Sequence, residues 1–329
     1  MNSLKTPRLL FAAAGLYVVI LVMNLTGLLN DYFLHIINQS LIYVTLTVSL
    51  NLINGLTGQF SLGHMGFAAV GAYVSGTITT LLFNVKPTLV NYPIFVLALV
   101  IGGLAAALVG VLIGFPSLRL KGDYLAIVTL GFGEIIRTIL NNISVVGGPR
   151  GLLGIPKFSN FHVVFVVAFV TLVVVRNLAQ SSHGRAFLAI RENELAAELV
   201  GINTTRYKVM AFAIGAFFAG VAGGLLGHLL QMAHPTQFGF LGSVLVLIML
   251  YAGGVGSLTG SVIAAFALTF LTETLRMVLD SLSDMTNLPL GDWRMVLYAL
   301  LLILIMLFRT EGLMGTREAK IVVLKEDQL

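Results

Sequence analysis

Between two apolar runs the chain concentrates Asn51, Asn54, Thr57, Gln59, Ser61 and His64, interleaved with Gly55, Gly58 and Gly63. Glycines let a helix unwind there. Unwound backbone at membrane depth survives only where protein buries it or where it lines a wet cavity. The helix ends at such a break offer N–H groups to an anion and carbonyls to a cation. An amino acid zwitterion needs both, so these six polar residues are candidates for a translocation path. A short cytoplasmic loop between two ordinary spans accounts for them equally well. His64 has no His-Glu-x-x-His partner and no second His within helical reach. That favours packing or capping over metal binding or proton relay.

Glu134 and Arg137 are spaced i,i+3 within an apolar run, so they share one helix face. A lone charge at the centre of a span costs on the order of 2.5–3.5 kcal/mol, and pairing inside a bundle reduces that cost. The pair therefore reads as a gate or polar path element, or as an internal bond that fixes helix register. The adjacent Arg opposes protonation of the carboxyl and so argues against proton coupling. No catalytic residue and no metal site is assigned. The chain has no Cys, no paired intramembrane Asp and no Ser/His elbow.

A third polar region spans residues 179–208. Within it, Ala186 to Val200 reads as one short helix ended by Gly201, a residue suited to the left-handed turn after a helix. Leu188, Leu195 and Leu199 fall near one face, with Arg191, Glu194 and Glu198 on another, the pattern of an amphipathic helix. The helix is too short and polar to cross a bilayer, so it lies against the membrane or a partner, or forms a solvated connector. Gly147, Gly148, Pro149, Gly151, Gly154 and Pro156 form a turn cluster. Such a cluster shapes an external gate, a docking surface or a plain loop.

The elements that must position these groups are membrane helices. Of 329 residues, 57% are hydrophobic and only 10% charged. A soluble domain has roughly 25% charged residues. The mean hydropathy is +0.97. A water-soluble enzyme and a disordered chain are both excluded. About 20 apolar residues cross a bilayer. Such windows lie near 9–29, 36–54, 62–83, 93–115, 123–142, 161–178, 209–230, 241–256, 258–275 and 294–308. They are continuously apolar, which argues against a β-barrel. The expected architecture is all-α, a polytopic inner-membrane bundle of about ten spans. Eight or nine result if the short segments near 55–61 and 253–258 are re-entrant. The whole of 1–329 forms one domain, with a charged solvated tail at 309–329. Alternating sides from a cytoplasmic N-terminus leaves only Lys86, Arg150, Lys157, Arg276 and Arg294 outside and Arg137 in a span, of 19 Lys and Arg. That excess of inward positive charge places both termini in the cytoplasm. The basic residues form no single soluble face, so nucleic acid is not a partner; membrane lipid is. A weak internal echo sets Ser61-Leu62 and Ala68-Ala69 against Ser257-Leu258 and Ala264-Ala265, with Gly58 falling on Gly254. Paired interruptions of this kind can mark a transport site, and chance among common residues also produces them.

The stretch from Arg191 to Ile202 resembles the Glu-Ala-Ala loop of ABC-importer permeases. Ala196, Ala197 and Gly201 match its spacing, while Leu195 takes the place of the Glu, Glu194 sits one residue early and the later Leu-Pro is absent. Together with the Gly-rich stretch at 54–66, the segment Gly122 to Gly131 and the segment Gly147 to Leu152, the chain resembles branched-chain amino-acid ABC transporter permeases of the LivM type. The resemblance implies inward movement of Leu, Ile, Val or related small amino acids and amides by alternating access, with no enzymatic activity in this chain. It implies a second, similar permease, two cytoplasmic ATPase subunits, an extracytoplasmic solute-binding protein and a bacterial cytoplasmic membrane. Arg191, Glu192, Glu194, Ala196, Ala197, Glu198 and Gly201 are then the residues coupled to the ATPase. No Gly-Lys dipeptide occurs, so the chain lacks a phosphate-cradling loop of the Walker type. ATP-Mg therefore belongs to partner subunits, and this chain binds no cofactor. The acidic outer positions Asp280, Asp284 and Asp292 dock the binding protein or form a solvated loop. The alternative is an ion-coupled secondary transporter that uses Glu134 or His64 and needs no ATPase.

Overall fold

The computed structural model describes residues 6–27, 29–117 and 122–286, with positions 300, 303, 307, 312–315 and 318 beyond them. Helices dominate: α1 (Thr6–Leu25), α2 (Asp31–Asn51), α3 (His64–Thr77), α4 (Tyr92–Ser117), α5 (Asp123–Asn142) and α6 (Phe161–Gln180) precede two short helices, α7 (Ser182–Glu192) and α8 (Glu194–Leu199). Then come α9 (Thr204–Leu230), α10 (Phe240–Gly253) and α11 (Leu258–Thr286). Strands β1 (Leu152–Leu153) and β2 (Met232–Ala233) pair antiparallel.

Six helical segments among the described residues are long and apolar enough to cross a membrane: Asp31–Leu56, His64–Leu82, Tyr92–Phe115, Phe161–Gln180, Thr204–Leu230 and Leu258–Ser283. The apolar parts of α1 and α10, Ala13–Leu25 and Phe240–Gly253, are shorter. A helix as short as α10 rises only about 21 Å, against a hydrocarbon core of about 30 Å. α5 has the length of a span but carries Asp123, Glu134 and Arg137. Most of the window 294–308 lies outside the described residues, as do Arg294 and Asp292.

α2 is the most enclosed of the six, with 89% of its window buried. Its buried hydroxyls are satisfied locally. Ser40, Thr45 and Thr47 each donate to the carbonyl four residues back, at 2.8–3.0 Å. This lets polar side chains occupy an apolar interior without an unmet hydrogen bond. The opposite case is α4, whose Leu104, Leu108 and Leu112 are more than half exposed along one stripe. In a soluble protein that stripe would promote aggregation; on a membrane helix it faces lipid.

Glycines set the closest packing. A Cβ on Gly71 of α3 would sit 1.9 Å from the Gly220 carbonyl oxygen of α9, and one on Gly102 of α4 would sit 2.9 Å from the Gly71 carbonyl oxygen. Backbones therefore meet directly, as small residues allow in lipid. The β1–β2 pair joins the two loops at one end of the bundle. The opposite end gathers Gly55, Arg191 and Gly256.

The described part of the tail corrects the expectation of a solvated end. Leu313 N donates to Ala252 O at 2.7 Å. The Glu318 carboxylate accepts from the backbone N–H groups of Leu258 and Thr259 and from the Thr259 hydroxyl. A carboxylate on the first N–H groups of α11 complements the positive end of that helix. The rest of 309–329 lies outside the described residues.

Candidate functional site

α2 does not end cleanly. It passes into a wide π turn, Leu52–Leu56, and the chain then runs unwound from Thr57 to Gly63 before α3 begins. Gly58 has φ +68°, a conformation that glycine adopts without strain. All six polar residues predicted here are buried, none more than 6% exposed. Asn54 bridges the break, accepting from Ser61 N at 3.2 Å and donating to Ser61 O. Thr57 donates to Ile53 O at 2.6 Å, and Gln59 donates to Thr57 at 2.8 Å. His64 shares a hydrogen bond with Ser49 at 2.9 Å, in keeping with a packing role. Gln59 Oε1, Ser61 Oγ and His64 Nδ1 have no partner among the described residues.

Asn51 reaches the second interruption. It donates to Ser257 O and Ser261 Oγ and accepts from Gly256 N, each at 2.9 Å. Gly254, which opens that interruption, has φ +113°. The two breaks paired by the sequence echo are therefore held together by one fully buried side chain. Two residues outside the predicted set also hold the break: Thr129 accepts from Leu62 N at 3.0 Å, and Ser243 accepts from Met65 N. Thr129 lies within the Gly122–Gly131 segment, whereas no sequence signal singles out Ser243.

Glu134 and Arg137 form the expected ion pair at 2.7 Å, about one-third exposed. Glu134 also accepts from Phe240 N at 3.0 Å, the first N–H of α10. The carboxylate thus caps a helix as well as neutralising an arginine. Among the described residues neither member of the pair hydrogen-bonds to the break residues.

The loop at 179–208 differs from its predicted form. Two helices replace one, divided at Asn193, whose extended backbone interrupts α7 and whose side chain accepts from Ala196 N to start α8. The predicted terminator holds: Gly201 has φ +86°, Gly201 N donates to Glu198 O, and Ile202 N donates to Ala197 O. On α8 the acidic side turns to the bundle and the apolar side turns outward. Glu194 pairs with Lys208 and Glu198 accepts from Thr204, both turned toward α9. Leu195, Leu199 and Val200 point outward at 66%, 89% and 77% exposure. Ala197 is buried beneath them. Ala196 lends its N–H to the helix start, and Glu192 pairs with Arg191 at 2.8 Å. Arg191 donates to Gly55 O at 3.1 Å and lies against Gly58 and Gly256. A cavity of about 380 Å³ joins these elements, lined by Thr57, Gln59, Arg191, Glu194 and Lys208 among others.

The Glu194–Lys208 pair yields a direct prediction. The Lys208 side chain is only 8% exposed. Glu194→Gln therefore leaves a buried ammonium without this counterion, which is strongly destabilising. We expect faster proteolysis between Asn193 and Asn203 in purified Glu194→Gln protein, with resistance restored in the Glu194→Gln/Lys208→Met double variant. Equal cleavage of the single variant and the parent chain would remove the pair from α8's support.

A helical membrane bundle with two touching interruptions, and with a short capped helix pair beside them, has the build of a transport permease. Residues 32–306 match the model of the family described as "Branched-chain amino acid transport system / permease component", and the chain belongs to that family. It is 36% identical over 310 residues to the high-affinity branched-chain amino acid transport system permease protein LivM of Escherichia coli K12, covering 84% of this chain and 68% of that one. The LivM protein of Salmonella typhimurium is 35% identical over 314 residues, covering 85% and 69%. LivH of Escherichia coli, also a permease protein of the high-affinity system, is 30% identical over 159 residues, 48% of each chain. The chain is a multi-pass inner-membrane transporter component of the ABC-importer kind, not an enzyme, and the ion-coupled alternative falls away.

Proposed function

We propose that this chain is one of two permease subunits in an ATP-driven importer of Leu, Ile and Val, with both termini in the cytoplasm and about ten spans. A LivH-like permease, two cytoplasmic ATPase subunits that hold ATP-Mg, and an extracytoplasmic binding protein complete the assembly. The path runs beside the broken segment, where Gln59, Ser61 and His64 keep unused polar atoms in a buried setting. One observation carries the reading: Leu195, Leu199 and Val200 are bare on a capped helix, while Arg191, at the end of α7, is hooked to the first break and Asn51 ties that break to the second. A push on α8 thus has a short bonded route into both interruptions. ATP binding closes the ATPase pair, α7 and α8 carry the motion inward, and the path opens to each side in turn.

The test is reconstitution. Tagged chain purified with its companions and placed in liposomes should hydrolyse ATP several-fold faster with leucine-loaded binding protein outside than without it. Accumulation of leucine by the isolated chain under an ion gradient, with no ATP, would overturn the proposal.

A further inference from the structure

The end of the bundle that carries the β1–β2 pair holds another cavity, of about 340 Å³, within the size range of small-molecule sites. It lies between the end of α1, the first two turns of α2, the chain leading into α6 and the end of α9. Its α2 wall presents Asp31, His35 and Asn38 at successive i,i+4 and i,i+3 positions, so they share a face. Lys157 and Asn160 stand on the opposite wall.

Three observations mark it as built for a ligand. Asn38 is 7% exposed, and its carbonyl oxygen is buried with no hydrogen-bond donor among the described residues. A buried acceptor left open is costly, and an N–H that reaches it recovers that loss. Asp31 and Lys157 line the same space with opposite charges, and among the described residues neither has an ion-pair partner. Three of the other polar groups nearby are already engaged: Ser159 donates to Leu225 O, Asn160 donates to the Tyr92 hydroxyl, and His162 shares a hydrogen bond with Tyr17. The deep acceptor, the carboxylate and the ammonium share the cavity with the His35 imidazole and the Asn24 amide.

We infer that this cavity binds a small dipolar amine, a primary ammonium close to an anionic group. The ammonium donates to Asn38 with Asp31 adding attraction, and the anion meets Lys157. Two sources share that chemistry: a free amino acid arriving from outside, and the phosphoethanolamine headgroup of a lipid. The exposed apolar side chains of neighbouring α1, Leu16, Val19, Val22 and Leu25 among them, place lipid within reach. The site is distinct from the broken segment and does not depend on which solute the importer moves.

The test uses the purified full assembly in nanodiscs of pure phosphatidylcholine, then with phosphatidylethanolamine added, or with free leucine. Retained lipid is read by native mass spectrometry, and leucine binding and the unfolding midpoint are read in parallel. Preference for ethanolamine lipid over choline lipid, weakened roughly tenfold by Asn38→Leu and by Lys157→Met, supports the site with lipid as its ligand. Leucine binding in the pure choline lipid, weakened by the same changes, supports it with an amino acid as its ligand. Equal retention of choline and ethanolamine lipids together with leucine binding indifferent to the variants overturns it, because a choline group carries no N–H to give Asn38. Should Asn38→Leu fail to accumulate, Lys157→Met and Asp31→Asn, both at exposed positions, decide the matter alone.

Discussion

Replacing Gly223 with valine is expected to remove most of the folded protein from the membrane fraction. Gly223 lies on the face of α9 that meets α3. A Cβ there would stand 1.9 Å from the carbonyl oxygen of Ala68 and 2.5 Å from its carbonyl carbon. Overpacking usually costs about 1–3 kcal/mol when side chains can shift aside. Here the obstacle is backbone, and Gly71 and Gly220 meet just as closely beside it. The helices must separate, which also opens the contact with α4 at Gly102. Total stability of folded domains is about 5–15 kcal/mol, so a loss at or above the upper end of the usual range is large. Gly131→Val is the control, since a Cβ there meets nothing within 4 Å. Immunoblots of membrane fractions and unfolding midpoints in detergent should show near-normal Gly131→Val and depleted, destabilised Gly223→Val. Equal levels and midpoints would mean that the close approach is not what holds α3 to α9.

That contact shows what the sequence could and could not carry. Apolar windows locate most helices because lipid imposes length and composition on each segment separately. The windows 36–54, 93–115, 161–178 and 209–230 all fall on observed helices. Which glycine meets which carbonyl is a property of pairs distant in sequence, and composition says only that glycine is abundant. The break at 57–63 is legible because glycines and polar side chains crowd one short stretch. Its bond to the second break through Asn51 is not, beyond the echo of Gly58 in Gly254. The loop at 179–208 departs from its expected form for a local reason. Asn193 followed by Glu194 is a helix-start signal, and it divides what an apolar count treats as one helix. The direction in which α8 turns its two sides is not legible, because the spacing separates leucines from acidic residues without saying which side packs on the bundle. Lys208, buried in α9, draws Glu194 toward the bundle, and the leucines are left outside.

Those leucines give the second large effect. Leu199→Asp should leave the chain inserted and stable while uptake collapses. At 89% exposure Leu199 has little left to lose within this chain, so the folded monomer barely changes. If α8 seats in a groove of an ATPase subunit, the same substitution drives a carboxylate into an apolar contact. Central apolar anchors of interfaces are worth about 2 kcal/mol or more each, so ATPase co-purification should fall by over tenfold. Gly201→Pro attacks the same element from within. Proline fixes φ near about −65° and lacks the N–H. Gly201, by contrast, has φ +86° and donates to Glu198 O. That change should unseat the end of α8. An aspartate at Ala197, a buried position, should do likewise by placing charge there. The three variants separate shape from surface. Gly201→Pro and Ala197→Asp should raise proteolysis of the loop, and Leu199→Asp should not, while all three lose leucine uptake. If ATPase co-purification and uptake survive in all three, α8 is not the element that conveys force, and the bare leucines need another partner.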